Sequence, residues 1–369
     1  MAILLENGVE YDTQSDAFLD RLLEATINVW DIYAIYIGER LGLYRALAES
    51  GPATSVGLAS RTGLNERYVR EWLEQQGAAG ILAVENPADN PTQRRFKLPA
   101  AHAEVLTATE SLNYLGALPQ IVVGTLSPIQ AVLRAFRTGE GVPYVDYGAD
   151  LREGQAGMNR NMFLYQLGPE WLPTMSDVDA RLKDAANPTR IADIGCGLGW
   201  STIGMARAYP HAIVDGYDLD EPSVAAAQTN VADAGLGDRV SIRLRDAADP
   251  SLAGRYDLVV ALECVHDMSD PVGALRTMRR LTADGGTVLI VDEHTEEAFT
   301  PNAGVIERYL YGFSVLHCLP VGMADHPSAA TGTVMRPDLF RRYATEAGFA
   351  SVELLPIENP FFNFYRLMG

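Results

Sequence analysis

The stretch Asp193-Ile194-Gly195-Cys196-Gly197-Leu198-Gly199-Trp200 decides the fold. It overlaps a short apolar run at 190–194 that predicts a β-strand. Its glycines predict a tight turn into a helix, where the backbone can approach a ligand. The dinucleotide fingerprint G-x-G-x-x-G requires a third glycine where this chain has Trp200. The spacing G-x-G-x-G, with Asp193 two residues ahead of it, therefore disfavours NAD and favours a ligand with an amino-acid tail and no pyrophosphate.

Downstream of this turn the sequence alternates strands with helices, which is typical of a parallel sheet. Further strands are predicted at 212–217, 239–243, 256–262 and 286–292. A helix near 337–347 precedes two last strands, at 351–357 and 361–367. Because only Glu358-Asn359-Pro360 joins these two strands, they are expected to form a hairpin in which the final strand is antiparallel to its neighbour.

Acidic side chains follow three of these strands at the carboxyl edge, where open α/β sheets bind ligands. Asp218 and Asp220 follow the second strand, at the place for an acceptor of ribose hydroxyls. Asp246 follows the third strand and could accept an adenine amino group, and Glu263 follows the fourth, near the amino-acid end of the ligand. Each acid alone could be a helix cap or a turn residue, but their order and spacing together indicate a cofactor site.

Five motifs resemble those of the class I S-adenosylmethionine (SAM)-dependent methyltransferases, from about Pro188 to the C-terminus: ADIGCGLGWST, GYDLD, RDAAD, YDLVVALECVHDM and LTADGGTVLIVDE. The resemblance implies an α/β fold with a Rossmann-like seven-stranded sheet that ends in the antiparallel hairpin. It implies SAM as the cofactor and methyl transfer to an O, N or activated C nucleophile of a small molecule. The cofactor contacts that it implies are Asp193, Gly195 and Gly197 for the methionine portion, Asp218 for ribose with Leu219 against adenine, and Asp246 after the third strand. Ala247 and Glu263 complete the predicted cofactor site.

The front half of the chain predicts a winged helix. A stripe from Ile27 to Leu41 has helical periodicity. Helices are predicted at about 55–62 and 66–76, joined by a turn in which Asn65 is a natural N-cap. The segments 81–84 and 95–98 would then pair as a wing.

These features predict three domains. They are an N-terminal helical and winged-helix dimerisation domain at 1–105, a helical connector and active-site cover at 106–185, and a SAM-binding methyltransferase domain at 186–369. With this front half the chain looks like the small-molecule methyltransferases whose N-terminal domain dimerises. A homodimer is therefore the expected assembly.

The charge of the winged helix argues against DNA as a partner. Residues 39–104 contain eight basic and eight acidic side chains, whereas a DNA reader concentrates positive charge on its recognition helix. The formal net charge of −19 also disfavours binding to nucleic acid. The main alternative function is a winged-helix transcriptional regulator that senses SAM or a metabolite. A third possibility is a protein that binds SAM without transferring its methyl group.

Composition indicates a cytoplasmic protein with no membrane segment. No stretch approaches the roughly 18 consecutive apolar residues of a membrane span. Three cysteines are too few for a disulfide framework, and the acidic N-terminal stretch does not have the charge of a secretory signal.

The residues for chemistry follow the fourth strand. His266 and Asp267 lie in a predicted loop at the ligand-binding edge, and His317 lies on the apolar stripe of a helix predicted at 305–319 and ended by Pro320. His266 could act as a general base, as in ordinary O-methyltransferases, and His317 could simply be a core histidine.

Alternatively, His266, Asp267 and His317 could form a facial triad for a divalent metal such as iron, nickel or zinc. This arrangement resembles the metal-dependent subgroup that C-methylates α-keto acids, in which the second histidine follows about fifty residues after the His-Asp pair. His294 is a weaker candidate ligand. The aromatic residues that could line a pocket for a partly apolar or aromatic substrate are Tyr144, Tyr147, Phe163, Tyr309, Phe313, Phe361 and Phe362.

Overall fold

The first part of the chain is mainly helical. The computed structural model describes residues 13–369, so the acidic stretch at 1–12 lies outside the described residues. The chain divides into two compact units between Val123 and Gly124. The helices of the first unit are α1 (Thr13–Arg40), α2 (Leu43–Ser50), α3 (Ser55–Thr62), α4 (Glu66–Ala78) and α5 (Ala100–Thr107), and α6 (Leu118–Leu126) spans the division.

The predicted winged helix is confirmed. Gly42 has a φ of 68°, a conformation that costs glycine little, and it separates α1 from α2. The Asn65 side chain caps α4 by accepting a hydrogen bond from the backbone N–H of Arg67 at 3.0 Å. The wing consists of β1 (Ala83–Val84) and β2 (Phe96–Lys97), which pair antiparallel.

The second unit begins with a helical segment. It contains α7 (Ile129–Thr138), a 3₁₀ turn (Tyr144–Tyr147), α8 (Gly148–Met162), a π-helical stretch (Phe163–Trp171), a second 3₁₀ turn (Leu172–Thr174) and α9 (Ser176–Leu182). The predicted domain boundaries at residues 105 and 185 stay predictions.

A seven-stranded sheet forms the centre of the second unit. Its strands are β3 (Arg190–Ile194), β4 (Ile213–Asp218), β5 (Val240–Leu244), β6 (Tyr256–Leu262), β7 (Thr282–Glu293), β8 (Ser351–Leu354) and β9 (Phe362–Met368). The order is β5-β4-β3-β6-β7-β9-β8, and β9 pairs antiparallel with both of its neighbours. The predicted parallel sheet with an antiparallel C-terminal hairpin is confirmed.

Helices follow the strands, as expected for an α/β sheet. They are α10 (Trp200–Ala208), α11 (Glu221–Asp233), α12 (Pro271–Leu281), α13 (Val305–Phe313), α14 (Leu319–Gly322) and α15 (Pro337–Glu346). Both faces of the sheet are buried, since Leu258 and Val260 belong to one apolar cluster and Val259 and Ala261 to another. This alternation is what the period of two in a strand requires. The carboxyl ends of the parallel strands β3 to β7 therefore lie at one edge of the sheet.

The helix that carries His317 differs from its prediction. A π-helical turn at Ser314–Cys318 separates α13 from α14, and the helical segment continues through Pro320 to Gly322. Pro320 occupies the first turn of α14, where its missing N–H removes no hydrogen bond of that helix. The proline therefore does not end the segment, contrary to the sequence prediction. Among the helices at 13–369, none is both long and apolar enough to cross a membrane.

Candidate active site

The loop between β3 and α10 has the backbone that its glycines predict. Gly195, Gly197 and Gly199 have φ angles of 71°, 50° and 80°, a region that side-chain-bearing residues rarely adopt. A Cβ on Gly195 would lie 2.7 Å from Sγ of Cys264, so this glycine also permits a close approach to the loop after β6. These glycines hold the loop against the carboxyl edge of the sheet.

Asp218 stabilises this loop from the end of β4. Its Oδ2 accepts a hydrogen bond from the Gly197 N–H at 2.7 Å, and its Oδ1 accepts one from the Asp220 N–H at 2.9 Å. Burial raises the pKa of this carboxyl, and the backbone hydrogen bonds oppose that effect. Asp220 instead caps α11 through Ser223, while Leu219 is 64% exposed. Asp220 is thus a helix cap, whereas Asp218, the acid predicted to bind ribose, holds the glycine loop.

Asp193 is buried beneath the loop. Its Oδ2 accepts hydrogen bonds from the hydroxyls of Ser201 and Thr202 at 2.7 and 2.6 Å. Burial raises its pKa to about 6, although these two hydroxyls act in the opposite direction. The carboxylate therefore ties β3 to the first turn of α10.

Asp246 and Ala247 follow β5 near the surface. The exposed Asp246 accepts a hydrogen bond from the N–H of Ala248 at 2.8 Å, which is an Asx turn. Asp246 thus has the geometry of a turn residue, the alternative that the sequence left open for it. Its predicted contact with adenine stays a prediction.

Glu263 has an unusual backbone at the end of β6. Its φ is 57°, which is costly for a residue other than glycine and is found preferentially at functional sites. One carboxylate oxygen accepts a hydrogen bond from the Asn159 side chain at 3.1 Å, and Oε1 is buried without a partner. Burial raises its pKa to about 7.

His266 is buried and contacts two acids at the end of β7. Its Nδ1 lies 2.8 Å from Oδ1 of Asp292, in hydrogen-bond geometry, and 2.8 Å from Oε2 of Glu293. Burial alone would lower the pKa of His266, but the Glu293 and Asp292 carboxylates raise it well above its usual value. Sequence reasoning did not assign these acids a role, although their position at the end of a parallel strand next to β6 was a signal.

The neighbours of His266 include a residue that the sequence analysis did not single out. Ligand atoms of His266, Asp267 and Cys318 all lie within 4.8 Å of one another, as do those of His266, Asp292 and Glu293. The Cys318 Sγ therefore lies within 4.8 Å of a ring nitrogen of His266. Burial raises the pKa of Asp267 to about 6. The structure thus brings together two of the three predicted triad residues and adds Cys318 to them.

His317 lies beside this group among aromatic rings. Its ring stacks on Phe313 at 4.9 Å between centroids and meets the edges of Tyr147 and Tyr144. Its Nδ1 is 3.3 Å from Sγ of Cys318, and its Nε2 is buried without a partner. Burial lowers its pKa to about 3. His317 is therefore a neutral imidazole with one unused nitrogen.

The remaining candidates occupy different places. The rings of Tyr309 and Phe313 are stacked with their centroids 6.3 Å apart, whereas Phe163 packs in the apolar core. The ring centroids of Phe361 and Phe362 lie 6.4 Å apart at the start of β9. His294 is exposed, and its Nδ1 lies 3.3 Å from the carbonyl oxygen of Asn359.

Comparison with known families matches both halves of the chain. Residues 192–288 match a family described as a methyltransferase domain, and residues 32–108 match a family described as an Rv2258c-like winged HTH domain. The first match contains the glycine loop and the His266 region. The second covers the helices and wing described above.

Two curated relatives share the methyltransferase region. The chain is 33% identical to the polyketide synthase ThaQ of Burkholderia thailandensis over 104 residues, which are 28% of this chain and 5% of the relative. It is 28% identical to the ubiquinone biosynthesis O-methyltransferase of Aromatoleum aromaticum over 185 residues, or 48% of this chain and 71% of the relative. The chain therefore spans only a small part of the first relative.

Solved structures share the fold over almost the whole chain. The structure of the mitomycin 7-O-methyltransferase MmcR aligns with a TM-score of 0.69 and 18% identity, covering 97% of this chain and all of that one. Human N-acetylserotonin methyltransferase in complex with SAM aligns with a TM-score of 0.65 and 16% identity, covering 98% and 99%. These structural matches show the shared fold, and the family match at 192–288 supports the predicted methyltransferase. The chain thus combines a winged helix-turn-helix domain with a methyltransferase domain on the fold of the class I SAM-dependent methyltransferases.

Proposed function

We propose that the protein transfers the methyl group of SAM to a small molecule. The observation that carries this proposal is the loop at Gly195, Gly197 and Gly199, fixed to the Asp218 carboxylate beside the buried His266 group. A methyltransferase needs a cofactor loop and an acceptor-activating group at one edge, and both lie at the carboxyl ends of adjacent parallel strands.

The proposed SAM contacts follow the sequence assignment except at Asp193, whose carboxylate accepts hydrogen bonds from Ser201 and Thr202. The backbone of Gly195 and Gly197 contacts the methionine portion. The Asp218 carboxylate accepts hydrogen bonds from the ribose hydroxyls. Adenine is contacted by Leu219, Asp246 and Ala247. Oε1 of Glu263 is buried without a partner and could accept a hydrogen bond from the ammonium group of the methionine portion. Asp193 acts indirectly, by holding the loop to α10.

His266 is the proposed site of acceptor activation. The hydrogen bond to Asp292 fixes the orientation of the ring and leaves its other nitrogen for the acceptor. In the metal-free form this nitrogen would act as a general base once the imidazole has lost the proton that Asp292 and Glu293 favour, a role that contributes about 10²–10⁴-fold to rate. The acceptor then attacks the methyl carbon in line with the departing sulfur, and the protein excludes water from this step.

A divalent metal is the second candidate for activation at the same place. The residues fit such an ion, because Oδ2 of Asp292 is buried beside His266 without a hydrogen-bond partner. When bound, the metal would polarise the acceptor as a Lewis acid. His266 and Asp267 would hold it, together with a third ligand for which His317 is the prediction from sequence.

The acceptor is proposed to be partly apolar or aromatic. Tyr309 and Phe313 stack along one helical stripe that leads to the fully buried His317. Tyr309 remains 44% exposed, so the outer end of this stripe is accessible. A planar acceptor could stack there with its nucleophile directed to His266.

A homodimer and a cytoplasmic location complete the proposal, with no nucleic acid as a partner. Ile27, Trp30 and Ile37 are exposed on α1, which is costly for a solvated helix and typical of an interface. On α4, Arg67 and Arg70 form ion pairs with Glu71 and Glu66, so their charges are partly compensated within the helix. A helix that reads DNA concentrates positive charge, so these ion pairs argue against a DNA-binding transcriptional regulator.

The test uses SAM with a deuterated methyl group and a protein-free extract of small molecules. We expect the wild-type protein to place the heavy methyl group on a small molecule. The His266→Ala variant should lose this transfer while still binding S-adenosylhomocysteine. Transfer to nucleic acid or protein instead, or no transfer by the wild type, would contradict the proposal.

A further inference from the structure

The π-helical turn at Ser314–Cys318 directs two consecutive side chains toward the interior of the second unit. His317 and Cys318 have exposed fractions of 0% and 1%. In a regular α-helix neighbouring side chains are about 100° apart, since a turn takes 3.6 residues. Single π-helical turns within α-helices occur frequently at functional sites. Here the Cys318 Sγ lies within 4.8 Å of a ring nitrogen of His266, while the His317 ring packs on Phe313.

We propose that His266, Asp267 and Cys318 together bind a divalent metal ion of the zinc type. Their nitrogen, oxygen and sulfur ligand atoms all lie within 4.8 Å of one another. In a tetrahedral zinc site with bonds of about 2.0–2.3 Å, ligand atoms are about 3.3–3.8 Å apart. Small side-chain movements therefore suffice to close the site. Three protein ligands leave a fourth position for an acceptor, as in catalytic zinc sites.

The surroundings of His266 are those of a metal ligand. Metal-bound histidines almost always donate the other ring N–H to a carboxylate or carbonyl, which fixes the ring. Asp292 occupies this position, with its Oδ1 2.8 Å from Nδ1 of His266. Nε2, the other ring nitrogen of His266, remains for the metal.

Charge also favours a cation. Asp267, Asp292 and Glu293 surround one imidazole, and buried carboxylates without compensation are costly. Oδ2 of Asp292 is buried without a hydrogen-bond partner, and Oε2 of Glu293 competes with Oδ1 of Asp292 for the single Nδ1 of His266. A dication bound by His266 would offset part of this negative charge. The thiol of Cys318 would lose its proton to solvent on binding, because the thiolate is the ligand.

The assignment of Cys318 departs from the ligand set predicted from sequence. A thiolate favours zinc over the hard cations that prefer oxygen ligands. His317 keeps its ring among Phe313, Tyr144 and Tyr147 and lies outside both groups of clustered ligand atoms. The inference deepens the proposed function and rests on it, because the metal would be bound where the acceptor is activated.

Cobalt(II) is the probe, because only a thiolate ligand gives an intense sulfur-to-cobalt charge-transfer absorption in the near ultraviolet. Full-length protein freed of metal by a chelator is titrated with cobalt(II) and then with zinc(II), which should displace it. We expect one ion per chain and the charge-transfer band. The Cys318→Ser variant should lose the band and bind zinc at least about 100-fold more weakly, more than the loss typical of an outer-shell partner.

Two variants serve as matched controls. Cys264→Ser removes another thiol near the site, whose Sγ instead lies 3.4 Å from the carbonyl oxygen of Ile194, and the band should persist. His317→Ala should also keep the band and bound zinc. Loss of zinc in His317→Ala with retention in Cys318→Ser would overturn the assignment, as would zinc binding that depends on Glu293 but not on Cys318.

Affinity for S-adenosylhomocysteine, measured on the same samples, separates the two proposals and shows that each variant is folded. A wild-type protein that binds S-adenosylhomocysteine but neither metal overturns the metal site and leaves the proposed methyl transfer intact. A protein that binds the metal through Cys318 but not S-adenosylhomocysteine supports the metal site and contradicts the cofactor site.

Discussion

Nδ1 of His266 lies 2.8 Å from Oδ1 of Asp292, so the end of β7 orients an imidazole that follows β6. The two strands are parallel neighbours, in which Leu262 pairs with Val291. Their carboxyl ends therefore bring together residues that are 26 positions apart in the chain. This relationship determines which ring nitrogen is available for chemistry.

The first prediction tests the orienting role of Asp292. Asp292→Asn keeps the size of the side chain but removes its charge, so the His266 ring should be held less firmly. We expect zinc affinity to fall by about 10–100-fold, the usual effect of changing the partner of a metal-bound histidine. Zinc competition titration measures it. Affinity for S-adenosylhomocysteine should not change, and a parallel loss would mean that the substitution disturbs the whole edge of the sheet.

The second prediction concerns the ribose contact. Asp218→Asn should weaken S-adenosylhomocysteine binding by about 1.5–3 kcal/mol, because hydrogen bonds to a charged acceptor are lost. Asp246→Asn is the comparison, since this exposed Asx-turn acid should have a smaller effect. Equal affinities of wild type and Asp218→Asn in calorimetry would exclude the ribose assignment.

The third prediction uses the pH dependence of stability. Asp215 in β4 accepts hydrogen bonds from Ser241, Arg190 and Tyr256 at 2.6, 2.5 and 2.9 Å. Burial by itself would raise the pKa of Asp215, but these partners lower it below its usual value. A carboxyl with a lowered folded-state pKa stabilises the fold above its unfolded value of about 3.9, and this contribution is lost as pH falls through the folded-state value.

Asp215→Asn should therefore lower the melting temperature at pH 7, and the difference from wild type should narrow as pH falls below about 4. Loss of charged hydrogen bonds of this kind costs about 1.5–3 kcal/mol each. Asp284→Asn is the control, because its pairing with Arg255 is largely exposed and contributes little. A difference that is independent of pH would show that the Asp215 charge contributes nothing to stability.

The fourth prediction tests α1 as the dimer interface. Trp30 is 64% exposed on this helix, three residues after the exposed Ile27. Trp30→Glu should convert a dimer to a monomer at micromolar concentration in light scattering. Tyr68→Glu changes another exposed aromatic residue, 81% accessible on α4, and should leave the dimer intact. A wild-type monomer, or a dimer that survives Trp30→Glu, would contradict this interface.

The sequence predicted the sheet well, because the buried strands are continuous apolar runs bounded by turn residues. The strands at 190–194 and 256–262 were located to the residue. Asn65 was identified as a helix cap for a local reason, its side-chain hydrogen bond to the backbone two residues on. Such features need only neighbouring residues, so a single sequence contains them.

The site was predicted less completely, because it depends on tertiary contacts. Helical periodicity placed His317 toward the interior, but it assumed a regular helix and could not anticipate the π-helical turn that also buries Cys318. Asp292 and Glu293 were visible at a strand end, yet only the strand order β6-β7 makes them partners of His266. The network of Asp215 lies within the sheet and carried no motif.

The most direct test of the central claim is isothermal titration calorimetry of the wild-type protein with SAM and with S-adenosylhomocysteine. We expect saturable binding of both ligands at one site per chain. NAD should not bind under the same conditions, since the loop lacks the third glycine of the dinucleotide fingerprint. Absence of binding for both SAM and S-adenosylhomocysteine, or preference for NAD, would contradict this claim.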